Sequence, residues 1–452
     1  MSTIAAIATP SGKGGMAVIR ISGDKAISIA KKVFVPFNRN IDSMKGYEAC
    51  YGNIFNEEKK LDDGVLLIFK APHSYTGEDV VEISCHGGEL VSKEVLQSCI
   101  NAGAIPAGRG EFTKRALLNG KLSLTQAEAV IDVINAEGKQ FLQTANEQKS
   151  GALFKTTEKI TDELLAISAQ ISAWIDYPDE DTPPVDMNFI QSQLKKINAE
   201  LDKLLKSYET GKLMRDGIDC AIVGKPNAGK STLMNLLSGY EKSIVTDIEG
   251  TTRDIVEEVV VICGIVLRLA DCAGIRQTDD IVEQIGVKKM KEKLKNSQLA
   301  IAVFDSSREI SQDDIELIKS LKDKNCIAVV NKVDLPLKID MSIIKQGFSR
   351  VVMISAKNNH NVDEFIASVK QAVEIDNLDP SAGYIANERQ RACVILAKQR
   401  VESALNAAVS DVSVDILGIE IQSAIEHLMS LSGKNISDEI INQVFERFCV
   451  GK

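Results

Sequence analysis

Short apolar runs rich in β-branched residues mark the first part of the chain. The runs at 17–22, 65–69 and 80–85 have the length and composition of strands, and glycine-containing turns separate them. Residues 89–101 carry their apolar side chains at helical spacing instead. This pattern predicts an α+β domain over residues 1–118.

From about residue 121 the apolar residues recur every three or four positions, which is the spacing of amphipathic helices. Two such stripes flank the acidic stretch 176–184, where two prolines favour a solvated turn over a metal site, and the second stripe is predicted to end at a Gly211 C-cap. Helical spacing returns in the last part of the chain, with Ser437 opening the final helix. These stretches predict one all-α domain made of residues 119–214 and 376–452.

Between those two stretches, strands and helices alternate, which is typical of a mostly parallel sheet covered on both faces. The predicted strands lie at 218–223, 259–263, 266–270, 299–304, 326–330 and 351–354. We therefore predict an α/β domain over residues 215–375, inserted into the helical domain. The predicted fold class is thus multidomain.

Composition narrows the setting of the protein. The 452 residues contain 44% hydrophobic and 26% charged residues, and no apolar run is long enough to span a membrane. The N-terminus does not resemble a secretion signal, and the nine cysteines are scattered singly, so we expect a cytoplasmic protein without a disulfide framework. A formal net charge of −10 argues against a surface coated for nucleic acid.

The stretch Gly224-Lys225-Pro226-Asn227-Ala228-Gly229-Lys230-Ser231 fits the phosphate-loop pattern G-x-x-x-x-G-K-S, between a predicted strand and a predicted helix. Glycines let such a backbone curl and aim its N–H groups at phosphate oxygens, while the lysine reaches the outer phosphates and the serine hydroxyl can bind Mg²⁺. The predicted nucleotide-binding residues of this stretch are Asn227, Ala228, Gly229, Lys230, Ser231 and Thr232.

Three more motifs follow in the order that a guanine-nucleotide switch requires. Asp271 and Gly274, in Asp271-Cys272-Ala273-Gly274, can sense Mg²⁺ and the γ-phosphate. Asp334, in Asn331-Lys332-Val333-Asp334, can accept two hydrogen bonds from guanine, and adenine lacks that donor pair. Ser355, Ala356 and Lys357 can support the base. Together the motifs predict a P-loop GTPase domain of the Ras-like type that binds GTP.

The sequence also contains candidate catalytic residues. Thr252, favoured over Thr251, can close over Mg²⁺ when the γ-phosphate is present. Where many small GTPases carry a glutamine that orients water, this chain has Ile275. Another group must therefore place water and neutralise charge, and nearby candidates are Arg276, Glu283 and Asn227.

The motifs resemble those of the tRNA modification GTPase MnmE (TrmE) family along the whole chain, including the N-terminal ATPSGKGGMAVIRISG, GKPNAGKST, GTTRD, DCAG, NKVD and the terminal FCVGK. Cys272 replaces the usual threonine of the second switch. The resemblance implies a K⁺-stimulated GTPase whose G domains dimerise across the nucleotide. Asn227 would bind K⁺ with the carbonyls of Thr246 and Gly250, and Glu283 would position the hydrolytic water indirectly.

The resemblance further implies a dimerising N-terminal domain that binds 5-formyl- or methylene-tetrahydrofolate through Arg20, Glu82, Lys121 and Lys452. With a flavin-dependent (FAD) partner of the MnmG (GidA) type, a homodimer would install an aminomethyl or carboxymethylaminomethyl group on the wobble uridine of certain tRNAs. The alternative is a GTPase that acts only as an assembly switch, for example on ribosomes. Cys449 is either a nucleophile or a small apolar residue of the last helix.

Overall fold

The computed structural model describes residues 2–176, 186–240, 257–262, 264–271, 294–373, 383–410, 414–434, 437–446 and 448–452. The chain divides into two compact units. Unit 1 comprises residues 1–131, 149–198 and 392–452, and unit 2 comprises residues 132–148 and 199–391. No helix within the described ranges is long and apolar enough to cross a membrane.

Unit 1 contains a seven-stranded sheet in the order β3-β4-β5-β6-β2-β1-β7. Neighbouring strands are antiparallel except β1 and β7, which are parallel. The strands are β1 (Ile4–Ile7), β2 (Met16–Ser22), β3 (Phe34–Pro36), β4 (Glu48–Asn56), β5 (Lys59–Phe69), β6 (Val80–His86) and β7 (Ile105–Pro106). Side chains on one face of the sheet join helices α1 (Ala26–Val33) and α2 (Glu89–Asn101) in one core.

The helices of unit 1 confirm the predicted apolar stripes. In α6 (Ala152–Asp176) the residues Ile160, Leu164, Ile167 and Ile171 are buried, and in α13 (Val414–Ser432) the residues Leu417, Ile421 and Leu428 are buried. A Cβ placed on Gly418 would lie 3.4 Å from Ile171, and the Lys434 ammonium lies 6.0 Å from the centre of the Phe154 ring. The two helices therefore run antiparallel.

In the part of the chain that the structure describes, six more helices lie in unit 1 or have residues in both units. They are α3 (Glu111–Leu118), α4 (Leu124–Ile134), α5 (Lys139–Lys149), α7 (Met187–Asp216), α12 (Glu388–Val409) and α14 (Asp438–Phe445). Ser437 is the N-cap residue of α14, as predicted.

The predicted C-cap at Gly211 is wrong. Helix α7 continues to Asp216, and Gly217, with φ of 75°, follows its end. Gly211 lies inside the helix, where an added Cβ would stand 2.9 Å from the carbonyl oxygen of Ile385. The glycine permits a close backbone approach there, which a sequence pattern does not distinguish from a helix end.

Unit 2 is built on a six-stranded sheet in the order β13-β12-β11-β8-β10-β9, parallel except for β9. The strands are β8 (Ile218–Gly224), β9 (Glu257–Ile262), β10 (Ile265–Asp271), β11 (Leu299–Asp305), β12 (Cys326–Asn331) and β13 (Val351–Met353). Its other helices are α8 (Lys230–Tyr240), α9 (Gln312–Ser320), α10 (Met341–Gly347) and α11 (Val362–Ala372).

The two faces of this sheet carry separate apolar cores. Two covered faces explain why β11 and β12 are buried along their length rather than on alternate residues. The predicted fold class is confirmed, because the structure contains an α+β part, a set of helices and an α/β part. The predicted domain limits stay predictions.

Candidate nucleotide-binding site

The candidate site lies at one edge of the unit 2 sheet. Strands β8, β11 and β12 are parallel neighbours that end at Gly224, Asp305 and Asn331. The carboxyl ends of parallel strands meet at the same edge, and α/β proteins bind their ligands in the crevice outside that edge. The predicted nucleotide motifs therefore converge in space although they are far apart in sequence.

The phosphate loop joins β8 to α8 through backbone conformations that few residues adopt. The φ angles of Gly224, Asn227 and Gly229 are 150°, 63° and 99°. A Cβ on Gly229 would lie 2.1 Å from the Asn331 side-chain nitrogen, so only glycine fits there. Helix α8 begins at Lys230, and the first N–H groups of a helix have no partner within it, which suits them to phosphate oxygens.

Lys230 places a positive charge inside this loop. Its Nζ donates to the carbonyl oxygens of Gly224 and Lys225, both at 3.0 Å, and the residue is buried. The loop thus holds the ammonium group beside the helix N-terminus, where it can neutralise the outer phosphates of a nucleotide.

Asn331 ties the phosphate loop to the loop after β13. Its Nδ2 donates to the Ala228 carbonyl at 3.1 Å, and its Oδ1 accepts from the Ala356 N–H at 3.0 Å. The residue is 2% exposed, so these bonds replace water that it cannot reach. Asn331 therefore positions both loops that were predicted to contact the nucleotide.

Lys332 connects the phosphate loop to a residue that the sequence reasoning missed. The Nζ atom donates to the Asn227 carbonyl and to Asp305 Oδ2, both at 2.6 Å. Burial acts to raise the pKa of Asp305, but hydrogen bonds from Lys332 and Ser307 outweigh it and hold that pKa below its ordinary value. The only signal for Asp305 was its position at the end of a predicted strand.

Asp334 presents the carboxylate predicted to select guanine. One oxygen accepts from the Ser355 hydroxyl at 2.6 Å, and the residue is exposed. That hydrogen bond lowers the pKa of Asp334, with smaller contributions from the Lys357 and Lys332 cations. The group is therefore an ionised acceptor at neutral pH, which suits the paired N–H donors of guanine.

Several predicted site residues lie outside the described part of the chain: Thr246, Gly250, Thr252, Gly274 and Glu283. Ser231 and Thr232 open helix α8 and are exposed, while Asp271 is described only as the last residue of β10. Within the described ranges, no group of three or more His, Cys, Asp or Glu residues could hold a metal ion. The Ser231 hydroxyl fits Mg²⁺ without such a cluster, because Mg²⁺ is often bound by one or two protein ligands together with substrate phosphates and water.

A second cluster of predicted residues lies in unit 1. Arg20 Nε donates to Glu82 Oε1 at 2.8 Å, and Arg20 Nη1 donates to the Gly451 carbonyl at 3.3 Å. Phe112 N–H donates to the Lys452 carbonyl at 3.1 Å, which holds the last residues against the N-terminal part of the unit. Arg20, Glu82 and Lys452 are thus brought together.

The surroundings lower the basicity of Lys452. Burial is the largest cause of its lowered pKa, the Arg20 and Lys149 cations add to the effect, and Glu82 opposes it. Lys121 donates to the Pro72 carbonyl at 3.1 Å. Cys449 is an exposed free thiol that follows the last helix, which ends at Phe445, so the alternative of an apolar residue on that helix is wrong.

Comparisons with known proteins cover the whole chain. Residues 3–121 match the model of the GTP-binding protein TrmE N-terminus, and residues 124–449 match that of the MnmE helical domain. The tRNA modification GTPase MnmE of Thermoanaerobacter pseudethanolicus is 39% identical over 458 residues, covering 100% of this chain and 99% of its own. The protein of the same name from Clostridioides difficile is 38% identical over 454 residues, with 100% and 99% covered.

Among solved structures, the G domain of the T. maritima FeoB iron transporter is 24% identical, covering 34% of this chain and 98% of its own at a TM-score of 0.28. The chain is a GTP hydrolase. The full-length relatives and the two matching family models show this, and the candidate nucleotide site at the sheet edge agrees with it. The chain belongs to the MnmE family of tRNA modification GTPases.

Proposed function

We propose that this GTPase modifies the wobble uridine of certain tRNAs, adding an aminomethyl or carboxymethylaminomethyl group together with an FAD-dependent flavoprotein of the MnmG type. GTP hydrolysis would drive dimerisation and conformational cycling of the G domains within a homodimer. The main support is the similarity along the full length of relatives named tRNA modification GTPase. The formal net charge of −10 fits a protein that contacts tRNA locally or through its partner.

The proposed catalytic strategy begins with Asn227. Its exposed side chain carries an amide oxygen, and its backbone carbonyl is fixed by Lys332 at 2.6 Å. Carbonyl-type oxygens are the ligands that K⁺ takes in proteins, so the residue fits the ion chemically. When bound, Mg²⁺ and K⁺ would supply positive charge to the phosphates during hydrolysis.

The other residues of the proposal would bind the two metal ions, the attacking water and the phosphates. The carbonyls of Thr246 and Gly250 would complete the K⁺ site, and Thr252 with Ser231 would hold Mg²⁺. Glu283 would position the attacking water indirectly, in place of the glutamine that Ile275 cannot replace. Lys230 and the N-terminus of α8 bind and orient the phosphates.

A comparison of GTP hydrolysis in KCl and in NaCl tests this strategy. We expect Na⁺ to lower the stimulated rate by roughly 100-fold, which is the scale of removing one preorganised stabilising group. Asn227→Ala should lose the K⁺ stimulation, while Glu283→Ala should slow turnover. GDP affinity, measured in both salts and for both variants, is the control for nucleotide binding. Equal rates in the two salts would contradict the K⁺ assignment.

We also propose that unit 1 binds a reduced folate, 5-formyl- or methylene-tetrahydrofolate. The charged groups of Arg20, Glu82, Lys121 and Lys452 suit a ligand that carries both a pterin-type donor pair and carboxylates. The support is the pairing of Arg20 with Glu82 at 2.8 Å beside the terminal residues.

A folate-binding measurement separates this function from that of a pure assembly switch. Isothermal titration of the purified protein with 5-formyltetrahydrofolate should show binding that Arg20→Met abolishes. GTP hydrolysis should persist in that variant, because Arg20 lies in unit 1. A protein that hydrolyses GTP and does not bind the folate would favour the assembly switch.

A further inference from the structure

Lys225 is the second residue of the phosphate loop, at a position where the phosphate-loop pattern specifies no residue type. Its side chain leaves the loop and reaches the N-terminus of helix α9. The Nζ atom lies 3.0 Å from Asp314 Oδ2 and 3.7 Å from Asp313 Oδ2, and it also contacts the Ser311 hydroxyl. The loop is therefore attached to a helix that follows a different strand of the sheet.

The acceptor of this contact is itself fixed by helix capping. Asp314 Oδ2 accepts from the Ser311 N–H at 3.0 Å, which is one half of the capping box at the start of α9, and it also accepts from the Ser311 hydroxyl at 2.9 Å. The same oxygen receives the Lys225 ammonium. Because the Asp314 side chain is 13% exposed and that of Asp313 is 80% exposed, solvent screens the contact with Asp314 much less.

The contact bears on nucleotide binding through the Lys225 backbone. The Lys225 carbonyl is one of the two oxygens that hold Lys230 Nζ, at 3.0 Å. Fixing the Lys225 side chain at α9 therefore restricts the peptide group on which Lys230 rests. Lys230 is the side chain that meets the outer phosphates in this loop pattern.

We propose that Lys225 and Asp314 are positioning residues, which hold the phosphate loop in its nucleotide-binding shape and act through Lys230. The proposal goes beyond the tRNA and K⁺ functions and depends only on GTP binding. Neither residue needs to touch the nucleotide.

Affinity for a fluorescent GDP analogue, measured on the full-length protein, tests the proposal. Lys225→Met and Asp314→Asn should each weaken binding roughly fivefold, the scale of one partly exposed ion pair. Asn at position 314 can still accept from Ser311, so the helix cap is kept while the charge is lost. The double variant should bind no more weakly than the worse single variant, because both remove the same contact.

Two matched controls accompany these variants. Asp313→Asn removes the same charge from the adjacent residue of the same helix turn, and it should leave affinity within about twofold of the parent because exposed pairs contribute little. Lys225→Arg keeps the charge and should restore most of the affinity.

Equal effects of Asp313→Asn and Asp314→Asn would overturn the proposal, since net charge rather than this contact would then control binding. Unchanged GDP affinity in both Lys225→Met and Asp314→Asn, with only a lower melting temperature, would also overturn it. Such a result would make the contact a purely structural one. Should Asp314→Asn fail to fold, the difference between Lys225→Met and Lys225→Arg decides.

Discussion

We expect base selection to depend on Asp334, because its ionised carboxylate matches a pair of donors on guanine. We expect Asp334→Asn to weaken GDP binding on the order of 100-fold, since each hydrogen bond to a charged group contributes about 1.5–3 kcal/mol. The Asn amide can donate where Asp only accepts, so affinity for xanthosine diphosphate should rise. Competition titrations with the two nucleotides measure both changes, and an unchanged GDP affinity would contradict the role of Asp334.

Lys452 allows a prediction about charge and pH. Its pKa is lowered in the folded protein, mainly by burial, so folding disfavours its charged form. Stability should therefore rise with pH from the folded pKa up to the ordinary value of 10.5, where the unfolded chain also loses its proton. Lys452→Met should remove this rise without destabilising the protein at pH 7, and it should weaken binding of the proposed folate. Urea unfolding between pH 7 and 10 tests the first effect.

The control for that experiment is Lys434→Met, which removes a lysine of unit 1 whose ammonium lies over the Phe154 ring. It should leave both folate binding and the alkaline rise in stability unchanged. A loss of stability at pH 7 in Lys452→Met would show that the charged form is favoured, contrary to the sign argued above.

At the residue scale, the sequence was sufficient wherever a motif fixes chemistry and spacing together. Of the predicted residues, Asn331 and Lys332 contact the phosphate loop and Asp334 contacts Ser355, while their roles in nucleotide binding stay predictions. Asp305 and Lys225 were missed because their roles arise from contacts with residues distant in sequence. Whether Thr252 and Glu283 act as predicted stays a prediction.

At the element scale, two helical glycines with opposite surroundings give a prediction on stability. Gly211→Ala should lower the free energy of unfolding by about 1–3 kcal/mol, because the new methyl group would stand 2.9 Å from the Ile385 carbonyl oxygen. In Gly239→Ala, in α8, the new methyl group meets no atom of the described residues within 4 Å, so the variant should raise stability by about 0.5–1 kcal/mol. Urea unfolding of both variants measures the difference, and two shifts of the same sign would contradict this explanation.

Gly211 and Gly217 show why elements were easier to predict than their ends. The buried strands β11 and β12 and the stripes of α6 and α13 follow from local composition and spacing. A glycine inside a helix and a glycine after a helix look alike in sequence. The backbone conformation distinguishes them, because Gly211 lies inside α7 whereas Gly217, after its end, has φ of 75°.

At the scale of the whole molecule, the contacts of the last residues predict that unit 1 can be perturbed without harming the GTP site. Gly451 has φ of 98°, and a Cβ there would lie 2.3 Å from the Ile7 carbonyl oxygen. Gly451→Val should therefore displace the terminal residues, destabilise unit 1 and weaken folate binding. GDP affinity should stay within about twofold of the parent, because the displaced contacts lie in unit 1.

Limited proteolysis and GDP titration of Gly451→Val test this separation. Val450→Ala, at an adjacent residue that is 53% exposed, is the control and should resemble the parent in both measurements. A large loss of GDP affinity in Gly451→Val would contradict the independence of the two sites.

The antiparallel pairing of α6 with α13 has a consequence for how the chain is made. Residues 199–391, which form most of unit 2, are synthesised between the two helices. At about 5–20 residues per second, that synthesis takes roughly 10–40 s. During this time the apolar side chains of α6 cannot yet pack against α13. We expect the nascent chain to fold its GTP-binding unit first, and to rely on chaperones to shield the earlier stripe until translation reaches α13.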